Sequence, residues 1–237
     1  MPEISIIIPA LNEEQYIEHT LQSIKAQNTK IDFEVIVCDG GSKDNTVKIA
    51  KKYADRVMIL KSRGIWRGRN EGAKNSSGKV LIFIDADTRV PTNYVDVIYA
   101  IMQDPDLAAV SCAFRFDEDS KMLKVVEDVS NKYLLLKGST GKGELLGFNN
   151  AIKRELFFEV GGFPNAPLED GALAKILRVR GKVVFLPTPT VTTSARRLKK
   201  AGILKSVLYY ANLELLSISK SKVLKKVSMF KDYKAVR

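Results

Sequence analysis

Asp85 and Asp87 close a run of five apolar residues, Val80 to Ile84. Residues two apart on an extended chain share a face, so a strand that ends this way presents two carboxylates side by side. Two hard oxygen donors in that arrangement suit Mg²⁺ or Mn²⁺, and with the ion a polyphosphate. The same Asp-Ala-Asp-Thr stretch also suits a plain polar turn closing a strand. Asp39 ends another apolar run and precedes Gly40-Gly41, which places it to accept hydrogen bonds from a base or ribose. Asp44 and Asn45, a few residues on, read as helix caps.

These strand ends have to be positioned by a repeating scaffold. Residues 4–8, 34–38, 57–60 and 80–84 read as strands. Helical patterns at 13–26 and 45–53 separate the first three, the basic segment 61–74 precedes the fourth, and a helix at 92–103 leads to a strand at 108–116. This alternation implies an α/β fold with a parallel sheet flanked by helices, in which ligands bind at the carboxyl edge of the strands. After Phe116 the rhythm changes. A helical segment at 121–137, a glycine-rich turn at 138–143 and an apolar passage to residue 152 come before helices at 154–160 and 171–180 and short strands at 183–186 and 191–193. The 138–143 turn does not have phosphate-loop spacing and reads as a mobile acceptor loop or an ordinary solvent loop. Trp66 suits either stacking on a ligand or burial against the sheet.

A chain of 237 residues, 45% hydrophobic and 27% charged, has the composition of one globular core rather than of a disordered or fibrous protein. Its net charge of +11 is unevenly placed: residues 196–237 hold twelve Lys or Arg against Glu214 and Asp232. Apolar residues recur there at helical intervals (Leu204, Val207, Leu208, Ala211, Leu215, Ile218). A basic amphipathic pattern of this kind suits an anionic membrane surface, or packing on the domain with a solvated lysine face. The most apolar stretch, 207–218, falls short of the ~20 residues a membrane span needs. No specific nucleic-acid reader motif accompanies the charge. Cys38 and Cys112 lack metal-site spacing and no secretory peptide precedes them, so reduced thiols in a cytoplasmic protein are expected.

Four stretches in order carry a resemblance: 5–14 (Ser5-Ile-Ile-Ile-Pro-Ala-Leu-Asn-Glu-Glu14), 35–46 (with Asp39-Gly-Gly-Ser42), Gly68-Arg-Asn-Glu-Gly72 followed by Asp85-Ala-Asp87, and Gly161-Gly-Phe-Pro164 before Glu169-Asp170. Together they resemble the family 2 glycosyltransferases, whose catalytic domain has the GT-A type nucleotide-sugar-binding fold. The resemblance implies a Rossmann-like, mostly parallel sheet over residues 1–195, with a nucleotide-binding half at about 1–116 and an acceptor half at about 117–195. The basic helical tail, 196–237, follows. It implies an inverting transfer of a single sugar from a UDP- or GDP-sugar, with Mg²⁺ or Mn²⁺ as cofactor. Asp39, Glu13, Pro9 and Asn12 would shape the nucleoside pocket, Arg69 would lie beside base and diphosphate, Asp85 would reach the ribose or metal, and Asp87 would bind the metal. Asp170 would be the catalytic base, a role that fits the need for a carboxylate to take the acceptor's proton. In isolation Glu169-Asp170 also suits an acid pair favoured by a helix dipole.

Some features depart from the family pattern. The sole histidine, His19, is early, so the late histidine that ligates metal in some relatives is missing, and Thr193, Ser194 or water would have to replace it. The acceptor motif and membrane spans of processive synthases are also missing, which favours single transfer. The acceptor is expected to be a sugar, a lipid-linked sugar or a polyprenyl phosphate whose charge Arg196 and Arg197 would hold, with the protein peripheral on the cytoplasmic face of a membrane. A sugar nucleotidyltransferase and a non-catalytic nucleotide-binding protein are the remaining alternatives; the first usually shows a glycine-rich loop after strand one, and Pro9 to Glu14 has no glycine.

Overall fold

The computed structural model describes residues 1–206 apart from Ser62, Pro167 and Leu204; the expected amphipathic stretch 207–218 and the rest of the tail lie outside the described residues. Eight strands form one sheet: β1 (Ile4–Ala10), β2 (Phe33–Asp39), β3 (Arg56–Ile59), β4 (Val80–Ile84), β5 (Thr88–Arg89), β6 (Leu107–Phe116), β7 (Asn149–Lys153) and β8 (Lys182–Thr193), in the order β3-β2-β1-β4-β7-β6-β8-β5. β3, β2, β1 and β4 are mutually parallel, and β6 runs parallel to β8. β7 is antiparallel to both its neighbours, β4 and β6, and the short β5 is antiparallel to β8.

Among the described residues, the named helices that cover the sheet are α1 (Ile17–Lys25), α2 (Thr46–Ala50), α3 (Ile65–Lys74), α4 (Tyr94–Met102), α5 (Lys121–Ser139), α6 (Arg154–Glu159), α7 (Glu169–Leu177) and α8 (Arg196–Ala201). Alternate residues of the central strands feed two cores. Ile4, Ile6 and Ile8 of β1 pack with α1, α4 and Leu134 of α5 on one face, while Ile7, Leu81 and Phe83 pack with Ala73, Phe157 and Leu173 from α3, α6 and α7 on the other. A strand apolar at every position is buried on both sides, which accounts for the unbroken Val80–Ile84 run.

Four expectations need correction. The helix read from residue 13 starts at Ile17, because the backbone N–H groups of Glu13 and Glu14 donate to Thr46 Oγ1 and Asp44 Oδ2, locking the loop after β1 to the loop after β2. Asp44 thus ties two loops and also accepts from Thr46 N–H, and the Asn45 side chain donates to Glu14 instead of capping α2. The 138–143 turn is no mobile loop: Gly143 N–H donates to Val183 C=O (2.7 Å) and Val183 N–H to Gly141 C=O (2.8 Å), stitching it to the beginning of β8. The two short strands expected at 183–186 and 191–193 form the single strand β8.

Candidate active site

Arg69 is the centre of the site and is 1% exposed. It is held there by two motifs that read as unrelated along the chain. α3 lies so close to β1 and β2 that a Cβ on Gly72 would stand 2.4 Å from Ile7 Cγ2, so Gly68 to Gly72 form the contact surface of the helix. From the other side, Gly161 and Gly162 take positive φ angles of 84° and 73°, which turn Phe163 under the guanidinium, 5.1 Å from its ring centroid. Asn70 locks this turn by accepting from Phe163 N–H and donating to Phe163 C=O, both at 2.9 Å.

The guanidinium of Arg69 then donates to Asp85 Oδ1 (2.9 Å), Glu169 Oε1 (2.7 Å) and the Gly147 carbonyl (2.7 Å). Burial works against its charge, but Asp85 and Glu169 more than offset that and raise its pKa. The same glycine also reaches Asp170, since Gly147 N–H donates to Asp170 Oδ2 (2.8 Å). Burial, then the neighbouring Glu169 charge, push the Asp170 carboxyl up to about 6, against the pull of Arg69 and of the Gly171 and Gly147 N–H groups. A carboxyl tuned to that range can take a proton near neutral pH.

A cavity of about 510 Å³ opens at the carboxyl edge of β1, β2 and β4. Pro9, Asn12, Glu13, Asp85, Asp87, Arg196 and Arg197 line it, as the sequence reading grouped them. Arg196 spans the opening, with Nη2 at 2.6 Å from Glu13 Oε1 and 2.9 Å from Asp87 Oδ2, and its guanidinium is stacked 4.4 Å over the Tyr16 ring. Burial, then the Asp85 charge, raise the Asp87 carboxyl to about 6 even with Arg196 and Arg197 beside it. Glu13 Oε2 is buried here with no hydrogen-bond partner among the described residues, while Glu13 Oε1 and Asp87 share Arg196 and Asp85 is paired with Arg69.

Asp39, Arg69 and Asp170 do not line the cavity. Arg69 stands behind Asp85. Asp39 is fully buried, and its Oδ1 accepts from Gly41 N–H (2.9 Å) and Ser42 N–H (2.8 Å) while Oδ2 takes the Ser42 hydroxyl, so it builds the turn that floors the cavity. Trp66 is half-buried with the second core behind it and Arg67 stacked on its ring. The Thr193 hydroxyl is engaged with Thr88 Oγ1 at 3.0 Å, and Ser194 Oγ accepts from Arg196 N–H. Gly147, Tyr16, Arg63 and Lys200 were not singled out in the sequence, yet the first joins the two acid groups, the second carries Arg196 and the last two line the cavity.

The sequence model of glycosyl transferase family 2 matches residues 5–161. The chain belongs to this family. Among family relatives, glycosyltransferase AglE of Haloferax volcanii is 27% identical over 181 residues, covering 72% of this chain and 59% of that protein. Glycosyltransferase GlyA of Streptococcus pneumoniae is 28% identical over 208 residues, covering 78% of this chain and 29% of that one. The chain therefore spans less than two thirds of the length of these relatives. The fold matches the mannosyltransferase PcManGT of Pyrobaculum calidifontis, solved with GDP-Man and Mn²⁺, with a TM-score of 0.71 at 22% identity over 96% of this chain and 68% of that chain. It also matches Staphylococcus aureus TarS 1–349, solved with UDP-GlcNAc, with a TM-score of 0.63 at 21% identity over 81% of this chain and 58% of that chain. The family 2 chain thus has the GT-A type α/β fold.

Proposed function

We propose that this protein transfers one sugar, with inversion, from a UDP- or GDP-sugar to an acceptor hydroxyl, using Mg²⁺ or Mn²⁺. The observation that carries the reading is the Asp85–Arg69–Gly147–Asp170 chain of contacts, which ties a cavity-lining carboxylate pair to a half-buried carboxyl of raised pKa.

Asp87 and Asp85 would hold the divalent ion. No group of three or more His, Cys, Asp or Glu suited to a metal occurs among the described residues, and two carboxylates are what Mg²⁺ typically takes when substrate phosphates and water complete its shell. The raised Asp87 carboxyl beside Asp85 and the unpartnered Glu13 Oε2 fit a cation at this end of the cavity. When bound, the ion neutralises the charge that develops on the leaving diphosphate. Arg196, Arg197 and Lys200, all on the cavity wall, would hold diphosphate oxygens. Pro9, Asn12 and the turn built by Asp39 would frame the nucleoside. Arg69 fixes Asp85 in one rotamer, a positioning role. Asp170 would accept the acceptor hydroxyl's proton as that oxygen attacks the anomeric carbon and the bond from sugar to diphosphate breaks on the opposite side.

An acceptor presented at a membrane, either a lipid-linked sugar or a polyprenyl phosphate, accords with the cationic tail. A phosphate acceptor is already ionised and would not need Asp170, so transfer that survives Asp170→Asn would favour the polyprenyl phosphate.

The test is thermal stabilisation by a panel of nucleoside diphosphates and their sugars, with and without Mn²⁺, for the native chain and Asp87→Ala. A Mn²⁺-dependent rise with one base that disappears in Asp87→Ala, together with release of that nucleoside diphosphate on adding acceptor, is the expected result. No stabilisation by any nucleotide would overturn the reading.

A further inference from the structure

Among the described residues, one face of α5 is apolar and exposed. Met122, Val125, Val129 and Leu136 follow helical spacing along it and are 56–70% exposed, while Leu123 and Leu134 are buried on the opposite face. A stripe of this length on the outside of a folded domain calls for a partner.

Charge selects among the candidates. Lys121 and Lys132 flank the stripe, exposed and without an ion pair among the described residues, and Asp128 is the one exposed acid of the helix. At the beginning of the stripe, Lys199 Nζ pairs with Glu118 Oε2 (2.7 Å) and Ala195 N–H donates to Asp117 Oδ1 (2.9 Å), which fastens α8 beside α5. α8 exposes Arg197 and Lys200, both also on the cavity wall. A second copy of the chain docked by a twofold axis would bring this cationic face against another cationic face. The chain's residues 207–237 are cationic as well, with seven Lys or Arg against Glu214 and Asp232. An anionic bilayer answers both features, with acyl chains for the stripe and phosphates for the lysines. No helix of the described residues is long and apolar enough to cross a membrane, which leaves contact along the surface.

We propose that the exposed face of α5 is a docking surface for an anionic lipid bilayer, and that α8 beside it sets the rim of the cavity at headgroup level. The inference deepens the proposed membrane-located acceptor and rests on it for its purpose. Its readout, vesicle binding, needs no turnover and is therefore separable from the failure of that reading.

The experiment is co-sedimentation of the full chain with phosphatidylcholine vesicles that contain or lack phosphatidylglycerol. The native chain should bind only the anionic vesicles, and Val125→Glu/Val129→Glu should weaken binding by at least about tenfold with its melting temperature and nucleotide-dependent stabilisation unchanged. Should that variant fold poorly, Met122→Gln/Leu136→Gln serves the same purpose. Failure to bind anionic vesicles, equal binding to neutral ones, or undiminished binding by both variants would overturn the proposal. So would a change from dimer to monomer in the glutamate variant, which would name a second copy as the occupant.

Discussion

Asp87 and Arg196 are 109 residues apart in the chain and meet at 2.9 Å across the opening of the cavity. The guanidinium also donates to Glu13 at 2.6 Å. If Asp87 holds the divalent ion as proposed, the ion and Arg196 would compete for it. Arg196→Ala should tighten nucleotide-free Mn²⁺ binding by roughly tenfold, equivalent to ~1.4 kcal/mol. A Mn²⁺ titration followed by melting temperature checks this, and weaker Mn²⁺ binding in the variant would contradict it.

Removing the Arg69 guanidinium should cost far more. Asp85 and Glu169 would be left buried and without their countercharge, a defect worth about 3–5 kcal/mol. Arg69→Met should lower the urea midpoint accordingly, and Arg69→Lys should rescue only part of the loss because an ammonium cannot reach Asp85, Glu169 and Gly147 in one planar geometry.

As the proposed base, the raised Asp170 carboxyl would give transfer a pH dependence. A base must be ionised to act, so the rate should rise with pH around a midpoint near about 6. Asp170→Asn should lower it by roughly 10²–10⁴-fold with donor binding retained. The same group lowers stability as pH rises. Below its ordinary value of 3.8 the folded and unfolded forms are both protonated, and as pH passes toward about 6 the unfolded chain gives up its proton first. The donor-free protein should lose up to about 3 kcal/mol from this group across that window, read as a falling melting temperature.

A Cβ on Gly147 would stand 2.8 Å from Arg69 Nη2 and 3.1 Å from Asp170 Oδ2. Gly147→Ala should therefore displace both groups, lowering turnover by about 10²-fold with a modest change in donor affinity. The cost in stability should be about 1–3 kcal/mol. Steady-state kinetics beside a denaturation curve separate the two effects.

Much of this site was legible in the sequence because it sits where apolar runs stop. Pro9, Asp39 and Asp85 all follow such runs, and parallel pairing in register brings Pro9 beside Cys38 and Ala10 beside Asp39. β7 was not legible as a strand, because Asn149 and Asn150 open it with polar residues where alternation or an apolar run would be expected. Their burial is made affordable by partners distant in the chain: Tyr94 Oη donates to Asn149, and the Asn side chains donate to the Cys112 and Leu146 carbonyls. The turn-building role of Asp39 was hidden for a related reason. A carboxylate before Gly-Gly reads alike whether its lone pairs meet a ligand or the next two backbone amides. Gly147 had no local signature, since its function is set by two side chains 78 and 23 residues away.

The antiparallel insertion of β7 has a consequence for biosynthesis. β4 is hydrogen-bonded to β1 on one side and to β7 on the other, and its sequence is Val-Leu-Ile-Phe-Ile. Until Lys153 has been synthesised, a nascent chain can pair only one side of that strand, leaving an uncharged apolar edge open to self-association. At about 5–20 residues per second that interval lasts roughly 3–14 s after Ile84 is made. A fragment ending at Phe116 should accordingly accumulate in inclusion bodies, and residues 1–116 could not be harvested as a free-standing module by simple truncation.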